Sequence, residues 1–212
     1  MKYHKIPDEA VRRLPFYLRD LLTLAEQGRK SISSRDLAGL LGFGPWQIRK
    51  DFCYFGSFGT RGKGYDIEKL ITQIRKILKL NSVRKAALVG VGNLGLAVLR
   101  YPGFRVYGFE IAAAFDNDPK KIGRKIGNIT VEDVSKLRTL KKRGIDFGII
   151  SVPCAAAQQT FDALAAAGIK GILSFSPCQK KGPEKVKVIT IDIAMDLVRL
   201  PYYAPTSRPS TR

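Results

Sequence analysis

The sequence is poor in the residues that most often perform acid–base and metal chemistry. The 212 residues contain one histidine, His4, so we expect no zinc site and no other bound metal. The three cysteines, Cys53, Cys154 and Cys178, are odd in number and have no C-x-x-C spacing. This usage predicts reduced thiols in a cytoplasmic protein rather than a disulfide framework.

Long apolar runs are also missing. No apolar run approaches the roughly 18 residues that a membrane-spanning helix needs. Residues 1–9 lack the apolar segment of a signal peptide. We therefore expect no membrane partner and a cytoplasmic location.

Acidic residues are scarce relative to basic ones. Eighteen Asp and Glu residues against 37 Lys and Arg residues give a net charge of +19. The excess is spread along the chain, because residues 1–84 carry 17 basic and 8 acidic residues and the remainder carry 20 and 10. Such a surplus favours a polyanionic partner, with nucleic acid ahead of an anionic membrane surface.

The first eighty residues have a helical pattern. Apolar residues spaced by three and four between Val11 and Ala25 predict an amphipathic helix that ends near Gly28. Ser34 is expected to cap a short helix that Gly42 terminates. Gly44-Pro45 then begins a third helix, which runs to about Phe55.

Two short helices joined by a glycine-containing turn predict a helix-turn-helix. The next residues, Gly56 to Tyr65, are rich in glycine and aromatic residues and predict a small hairpin. Asp66 is expected to cap a fourth helix over residues 67–80. This order is the outline of a winged helix.

The chemistry of this region suits DNA. Gln and Arg can each make two hydrogen bonds to a base edge. On the third helix, Gln47, Arg49 and Lys50 are predicted to share the exposed side, and Trp46, Ile48, Phe52 and Phe55 to contact the core. Arg61 and Lys63, on the glycine-rich wing, suit a minor groove or the phosphate backbone.

From Lys85 onward the pattern alternates between strands and helices, which predicts an α/β fold with a parallel sheet covered on both faces. Strands are expected at 86–90, 111–116, 147–152, 171–174 and 188–191, and helices at 94–101, 131–142, 155–167 and 192–200. The predicted organisation is a DNA-binding domain (1–80), a Rossmann domain (81–191), a C-terminal helix with an apolar side (192–203) and a disordered tail (204–212).

A glycine fingerprint follows the first of these strands. Gly90 allows a tight turn, Gly92 lets the backbone approach a pyrophosphate, and Gly95 lets the next helix pack closely. A second apolar strand ends in Asp116, about where an acid is needed to bind a ribose hydroxyl. A carboxylate there disfavours the 2′-phosphate of NADP. Together these features predict a dinucleotide site.

Two other functions are compatible with these residues. An NAD-dependent dehydrogenase with an N-terminal extension would need a proton-transfer group, yet the Rossmann half contains no histidine and no recognisable catalytic spacing. An architectural DNA-binding protein could hold no ligand, CoA or another adenine nucleotide. We predict no catalytic residues, and thus no enzyme.

Several stretches of the chain resemble the Rex family of bacterial repressors, which respond to the ratio of NADH to NAD. The resemblance runs from about Pro7 to about Leu200 and is most specific at Ile48–Tyr65. It continues through the Gly-Val-Gly-Asn-Leu-Gly fingerprint, Tyr101-Pro102-Gly103-Phe104, and the segments that begin at Ala114, Ser151 and Gly168.

The resemblance implies a homodimer whose C-terminal helices are swapped between subunits and which leaves an inverted-repeat operator in double-stranded DNA when NADH binds. It implies that the pyrophosphate is held by Gly90, Val91, Gly92, Asn93, Leu94 and Gly95, the ribose by Asp116, and the nicotinamide end by Ser151, Val152 and Pro153. The implied DNA contacts add Ser57 to the basic residues above. Arg19, Tyr101 and Asp192 match a trio whose contacts switch between states. Ser174 departs from the family, which usually has asparagine there.

Overall fold

The computed structural model describes residues 6–56, 58–59, 64–178 and 185–204. The chain divides into two compact units between Ser82 and Val83. Of the residues discussed above, His4, Ser57, Arg61, Lys63 and the tail beyond Ala204 lie outside the described residues.

The N-terminal unit is mainly helical. Its elements are α1 (Asp8–Glu26), β1 (Ser31–Ile32), α2 (Ser34–Leu41), α3 (Pro45–Phe55), β2 (Tyr65–Asp66) and α4 (Ile67–Ile77). One apolar core joins all four helices, with Leu14, Ile48 and Ile74 fully buried. The predicted helix-turn-helix of α2 and α3 is confirmed.

Local chemistry explains most helix ends in this unit. The expected cap Ser34 is wrong by one residue, because the Ser33 hydroxyl accepts the hydrogen bond from the Asp36 backbone N–H at 3.1 Å. Gly42 ends α2 with a φ of +69°, as a C-terminal glycine does. Asp66 caps α4 as predicted, but α4 ends at Ile77, three residues earlier than expected.

A two-stranded antiparallel sheet completes the N-terminal unit. Ser31 pairs with Asp66, and Ile32 with Tyr65. The sequence pattern did not indicate β1, since two residues are too few to show an alternation. The segment after α3 therefore pairs back to residues that precede α2, whereas the tip of the predicted hairpin is outside the described residues.

The C-terminal unit is an α/β domain. It contains β3 (Arg84–Val89), α5 (Asn93–Arg100), α6 (Gly103–Val106), β4 (Phe109–Asp116), β5 (Lys125–Ile126), β6 (Ile129–Asp133), β7 (Phe147–Ile150), α7 (Cys154–Ala166), β8 (Gly171–Ser174), β9 (Lys187–Thr190) and α8 (Ile193–Tyr203). The sheet order is β5-β6-β4-β3-β7-β8-β9, and every pair except β5–β6 is parallel.

Without the antiparallel edge strand β5, this order is that of a doubly wound Rossmann sheet. The first strand of the domain, β3, lies at the centre, and its residues Ala86 to Val89 are all buried. The chain crosses to the other half of the sheet after β6, so the ends of β3 and β7 form the switch point where ligands bind in such folds. The predicted α/β class with a helical N-terminal module is confirmed.

One predicted helix, over residues 131–142, is wrong. Residues Ile129–Asp133 form β6, and a 3₁₀ helix follows from Val134 to Thr139. Val131 pairs with Ala114 in the sheet and is buried. Leu137 and Leu140, three residues apart, supplied the helical spacing, and the 3₁₀ turn buries both.

Among the described helices of eight or more residues, α8 at the C-terminus is the one that buries none of its residues within the chain. Its exposed apolar side chains are Ile193, Met195, Leu197, Val198, Leu200, Tyr202 and Tyr203. In the part of the chain that the structure describes, no helix is both long and apolar enough to span a bilayer.

Candidate dinucleotide site and nucleic-acid interface

The turn after β3 has the geometry that the glycine fingerprint requires. Gly90 has a φ of +95°, and a Cβ placed there would lie 2.5 Å from the Ser151 carbonyl oxygen. A Cβ on Gly95 would collide with the Gly90 carbonyl oxygen. These two glycines are therefore needed to pack α5 against the ends of β3 and β7.

Gly92 plays a different role. It precedes α5, and a Cβ added to it would meet nothing within 4 Å. The internal packing of the protein does not need a glycine at this position, but close approach by a ligand would. The first hydrogen bond of α5 runs from Leu96 N–H to the Gly92 carbonyl, so the amides of Asn93, Leu94 and Gly95 face the helix N-terminus, where phosphates bind.

Asp116 lies at the end of β4 and is only 5% exposed. Its carboxylate accepts hydrogen bonds from Val91 N–H (2.7 Å), Asp118 N–H (2.9 Å) and the Lys121 ammonium (3.1 Å). Burial raises the pKa of this carboxyl, but the hydrogen bonds from Asp118, Val91 and Lys121 outweigh it and hold the pKa below its usual value. Asp116 is thus an ionised acceptor fixed beside the glycine turn.

The loop after β7 completes the edge of this site. The Ser151 hydroxyl donates to the Gly90 carbonyl at 2.6 Å, which ties the loop to the glycine turn. Val152 is half-buried, and Pro153 is exposed at the start of α7. The structure therefore places Ser151 and Val152 next to Gly90, on the side of the turn away from Asp116 in the strand order β4-β3-β7.

Ser174, where the family usually has asparagine, is fully buried at the end of β8. Its hydroxyl accepts from the Ser176 N–H at 3.2 Å, and the Ser176 hydroxyl donates to the Val152 carbonyl at 2.5 Å. The Ser174 side chain therefore supports the loop that holds Val152.

In the N-terminal unit, α3 presents a partly basic exposed face. Trp46, Arg49, Lys50 and Cys53 are exposed on it. The prediction that Trp46 contacts the core is wrong, because this side chain is 61% exposed. Arg49 donates a hydrogen bond to the Ser34 hydroxyl at 2.9 Å, which links the exposed faces of α2 and α3.

Gln47 faces inward, contrary to the predicted grouping with Arg49 and Lys50. It is half-buried, and its amide nitrogen donates to Asp51 at 2.8 Å. The reason is geometric: residues four apart share a helix face, and Asp51 is completely buried. One hydrogen of the Gln47 amide is therefore used inside the domain.

Sequence reasoning missed the acceptor at the centre of this unit, Asp51. The Arg13 guanidinium donates to both of its oxygens at 2.6 and 2.8 Å, and the Tyr17 hydroxyl donates at 2.5 Å. Burial raises the pKa of Asp51, and the hydrogen bonds from Arg13, Tyr17 and Gln47 lower it below its usual value. Burial together with the Asp51 contact raises the pKa of Tyr17. No sequence signal distinguishes Asp51 from the exposed polar residues beside it.

The three predicted switch residues lie on different elements. Arg19, on α1, is paired with Asp20 and lies over the Phe16 ring. Tyr101 directly follows α5, is 57% exposed and packs edge-to-face on Phe104. Asp192 caps α8 by accepting a hydrogen bond from Ala194 N–H at 3.1 Å, a structural role that the sequence pattern did not indicate.

Among the described residues, no cluster of three His, Cys, Asp or Glu side chains occurs. The fold and the two sites thus define a class: a helix-turn-helix module with a basic face, joined to a Rossmann module with a nucleotide-type glycine turn.

Comparison with known proteins agrees with this class. Residues 5–53 match the family model of a putative DNA-binding protein N-terminus, and residues 81–178 match that of a CoA binding domain. The chain is 46% identical over 198 residues to the redox-sensing transcriptional repressor Rex of Chloroflexus aurantiacus, covering 93% of each protein. It is 43% identical to that of Desulfitobacterium hafniense, covering 98% of this chain and 100% of the relative.

Solved structures give the same result. A Rex-family repressor called RSP, in complex with β-NAD⁺ and operator DNA, superimposes with a TM-score of 0.88 at 36% identity, covering 94% of this chain and 92% of the other. Its complex with β-NADH gives 0.84 at 35% identity, with 93% of each chain covered. The chain belongs to the Rex family of redox-sensing transcriptional repressors. Because these relatives are named as repressors and not as enzymes, the dehydrogenase alternative is not favoured.

Proposed function

We propose that this protein is a repressor that binds an inverted-repeat operator as a homodimer and is released when NADH occupies the C-terminal unit. The single observation that supports ligand sensing by the C-terminal unit is the geometry of the glycine turn. Gly90 and Gly95 are required by internal packing, but Gly92 faces open space beside an ionised Asp116. A complex of the relative RSP with β-NAD⁺ and operator DNA, and another with β-NADH, support both ligands.

The residues present fit a dinucleotide. The amides of Asn93, Leu94 and Gly95 would hold the pyrophosphate, with Gly90, Val91 and Gly92 shaping its approach. Asp116 would accept from the ribose, since its pKa keeps it ionised. Ser151, Val152 and Pro153 would border the nicotinamide end, across the glycine turn from Asp116.

Discrimination between the two redox forms rests on charge. When bound, the cofactor supplies a nicotinamide ring that is cationic in NAD⁺ and neutral in NADH. Half-buried Val152, which packs on the apolar core of the sheet, offers that ring no counter-charge. Enclosure by such side chains disfavours the charged ring through desolvation and so selects NADH.

The DNA-binding half rests on α3 and the segment after it. Arg49 and Lys50 are exposed on α3 and would contact bases or phosphates, with Gln47 held beside them by Asp51. Ser57, Arg61 and Lys63, outside the described residues, remain predicted contacts of the wing. A DNA partner implies that the protein acts in the bacterial cytoplasm.

The homodimer is supported by α8. A helix that exposes seven large apolar side chains within its own chain is not stable as a free surface, because such patches mark interfaces. A second copy of the chain covering α8, in the swapped arrangement that the family resemblance implies, would remove them from water.

Coupling follows from the two halves sharing one dimer. A rotation of the subunits changes the spacing of the two α3 helices, and DNA half-sites lie whole helical turns apart. Arg19, Tyr101 and Asp192 are the proposed residues that exchange partners between the two states. Moving the equilibrium from mostly bound to mostly released needs a differential affinity of roughly 5 kcal/mol, and operator DNA must weaken NADH binding by the same factor.

A fluorescence-anisotropy titration of operator DNA tests this proposal. We expect saturating NADH to release the DNA. At equal concentration, NAD⁺, NADP⁺ or CoA should leave the DNA bound. The matched control is Gly92→Val, whose side chain fits the protein but blocks the ligand. It should bind DNA normally and lose NADH affinity at least about tenfold, or 1.4 kcal/mol. Unchanged DNA affinity at saturating NADH would refute the proposal, and release by CoA would identify a different ligand.

A further inference from the structure

Trp46 is a large aromatic side chain that the N-terminal unit leaves mostly exposed. It is the only tryptophan of the chain, and 61% of its surface is exposed although it lies in the first turn of α3. A large aromatic side chain in that position contributes little to the apolar core, which Ile48 and Phe52 of the same helix already fill.

Its neighbours on the helix are those proposed to bind DNA. Residues three and four positions apart share a helix face, so Trp46 lies beside Arg49 and Lys50. The Lys50 ammonium lies over the Trp46 ring, 4.6 Å from its centre. This contact keeps the lysine near the ring and leaves the rest of the indole in solvent.

We propose that Trp46 is a base-contacting residue of the operator interface and that it packs against the C5-methyl group of a thymine. This inference rests on the proposed function. The first residues of a recognition helix are those that reach base edges in the major groove. The only apolar group that the major groove presents is the thymine methyl, and Trp46 is the exposed apolar side chain in the first turn of α3.

The geometry also assigns a change of partner to Lys50. In the free protein its ammonium rests on the indole. When the indole enters the groove, the ammonium is displaced toward the phosphates that line the groove edge, where it releases a counterion. Trp46 thus reads the base, and Lys50 contributes sequence-independent affinity.

The test uses a duplex operator selected from randomised DNA with the full-length wild-type protein. Each thymine of the operator is replaced in turn by deoxyuridine, which removes only the methyl group. We expect one symmetric pair of positions at which wild type binds about fourfold more weakly for each methyl lost. Trp46→Ala should bind the parent operator about thirtyfold more weakly and should show no further loss at those positions.

Two comparison variants separate this role from general effects. Leu40→Ala removes an equally exposed apolar side chain from α2 and should leave operator affinity unchanged. Lys50→Ala should reduce the slope of log K against log salt concentration by about two, one for each subunit of the dimer, while preserving the deoxyuridine effect. Thermal unfolding should show that Trp46→Ala remains folded, because the side chain is exposed.

The single tryptophan gives an independent readout, because all indole fluorescence of the protein comes from position 46. Operator binding should change that emission, and NADH should restore it as the DNA leaves. Normal affinity of Trp46→Ala, or equal deoxyuridine effects in wild type and Trp46→Ala, would overturn the inference without touching the proposed function. Failure to select any operator would overturn both.

Discussion

At the scale of single residues, the network around Asp51 is the best-defined feature of the N-terminal unit. One buried carboxylate accepts hydrogen bonds from α1, through Arg13 and Tyr17, and from α3, through Gln47. It therefore fixes the angle between the helix that carries Arg19 and the helix proposed to bind DNA. Removal of its charge leaves the partly buried Arg13 guanidinium without a counter-charge, which is more costly than the loss of an exposed pair.

Asp51→Asn should lower the free energy of unfolding by about 3 kcal/mol at pH 7. The pKa of Asp51 is lower in the folded than in the unfolded chain. The carboxylate therefore stabilises the fold at any pH above the pKa that it has in the unfolded chain, and this stabilisation is lost as the pH falls through the folded pKa. The difference between wild type and variant should thus shrink below about pH 4. Urea unfolding of both proteins at several pH values measures it.

A control for that experiment is Asp133→Asn, which removes an exposed carboxylate whose pKa the Ser135 hydrogen bonds lower. It should cost little at any pH. A gap between wild type and Asp51→Asn that stayed constant from pH 7 to pH 3 would contradict the assigned role of the carboxylate.

The glycine turn could be predicted residue by residue, because each glycine has a distinct steric reason that spacing alone reveals. Gly90, Gly95 and Asp116 lie where the pattern indicated. The inward orientation of Gln47 and the exposure of Trp46 could not be predicted. The orientation of Gln47 depends on Asp51 being buried, and nothing in a local sequence window shows which acid a distant arginine will reach.

At the scale of elements, the long amphipathic helix α1 and the buried strand β3 followed from periodicity and composition. The region 131–142 did not, because its buried Val131 belongs to a strand and its buried Leu137 to a 3₁₀ turn. Two short consecutive elements whose apolar residues have helical spacing therefore look like one helix in the sequence. Residues 129–133 form a strand because they pair with β4, and a local sequence pattern does not show that contact.

The helix α8 gives the prediction that belongs to this scale. Leu197→Glu places a charge on its apolar face, so it should weaken the proposed dimer by roughly 3 kcal/mol, about a hundredfold in dissociation constant. Light scattering across a dilution series measures the change in mass. Since Leu197 is 65% exposed in the single chain, the fold of the monomer should persist.

Leu40→Glu makes the same change at another exposed apolar site, on α2, and should leave the dimer intact. If Leu197→Glu remained dimeric at the lowest measurable concentrations, α8 would not be the dimer interface.

At the scale of the whole molecule, the relevant features are the charge distribution and the organisation into two units. A surplus of positive charge on both halves draws the protein to DNA without specifying a sequence. In the proposed dimer, specificity and regulation would then depend on the spacing of the two α3 helices. The sequence predicts each unit, whereas the arrangement of the units in the proposed dimer would depend on surfaces that no local pattern encodes.

The central claim is that NADH changes the separation of the two α3 helices. Cys53, an exposed thiol on α3, allows a spin label to be placed there once Cys154 and Cys178 are replaced by serine. Pulsed electron–electron double resonance on the dimer then measures the distance between the two labels in the absence of DNA. The account predicts that saturating NADH shifts this distribution, whereas Gly92→Val in the same background does not respond. Identical distributions with and without NADH, in a protein shown to bind it, would contradict the account.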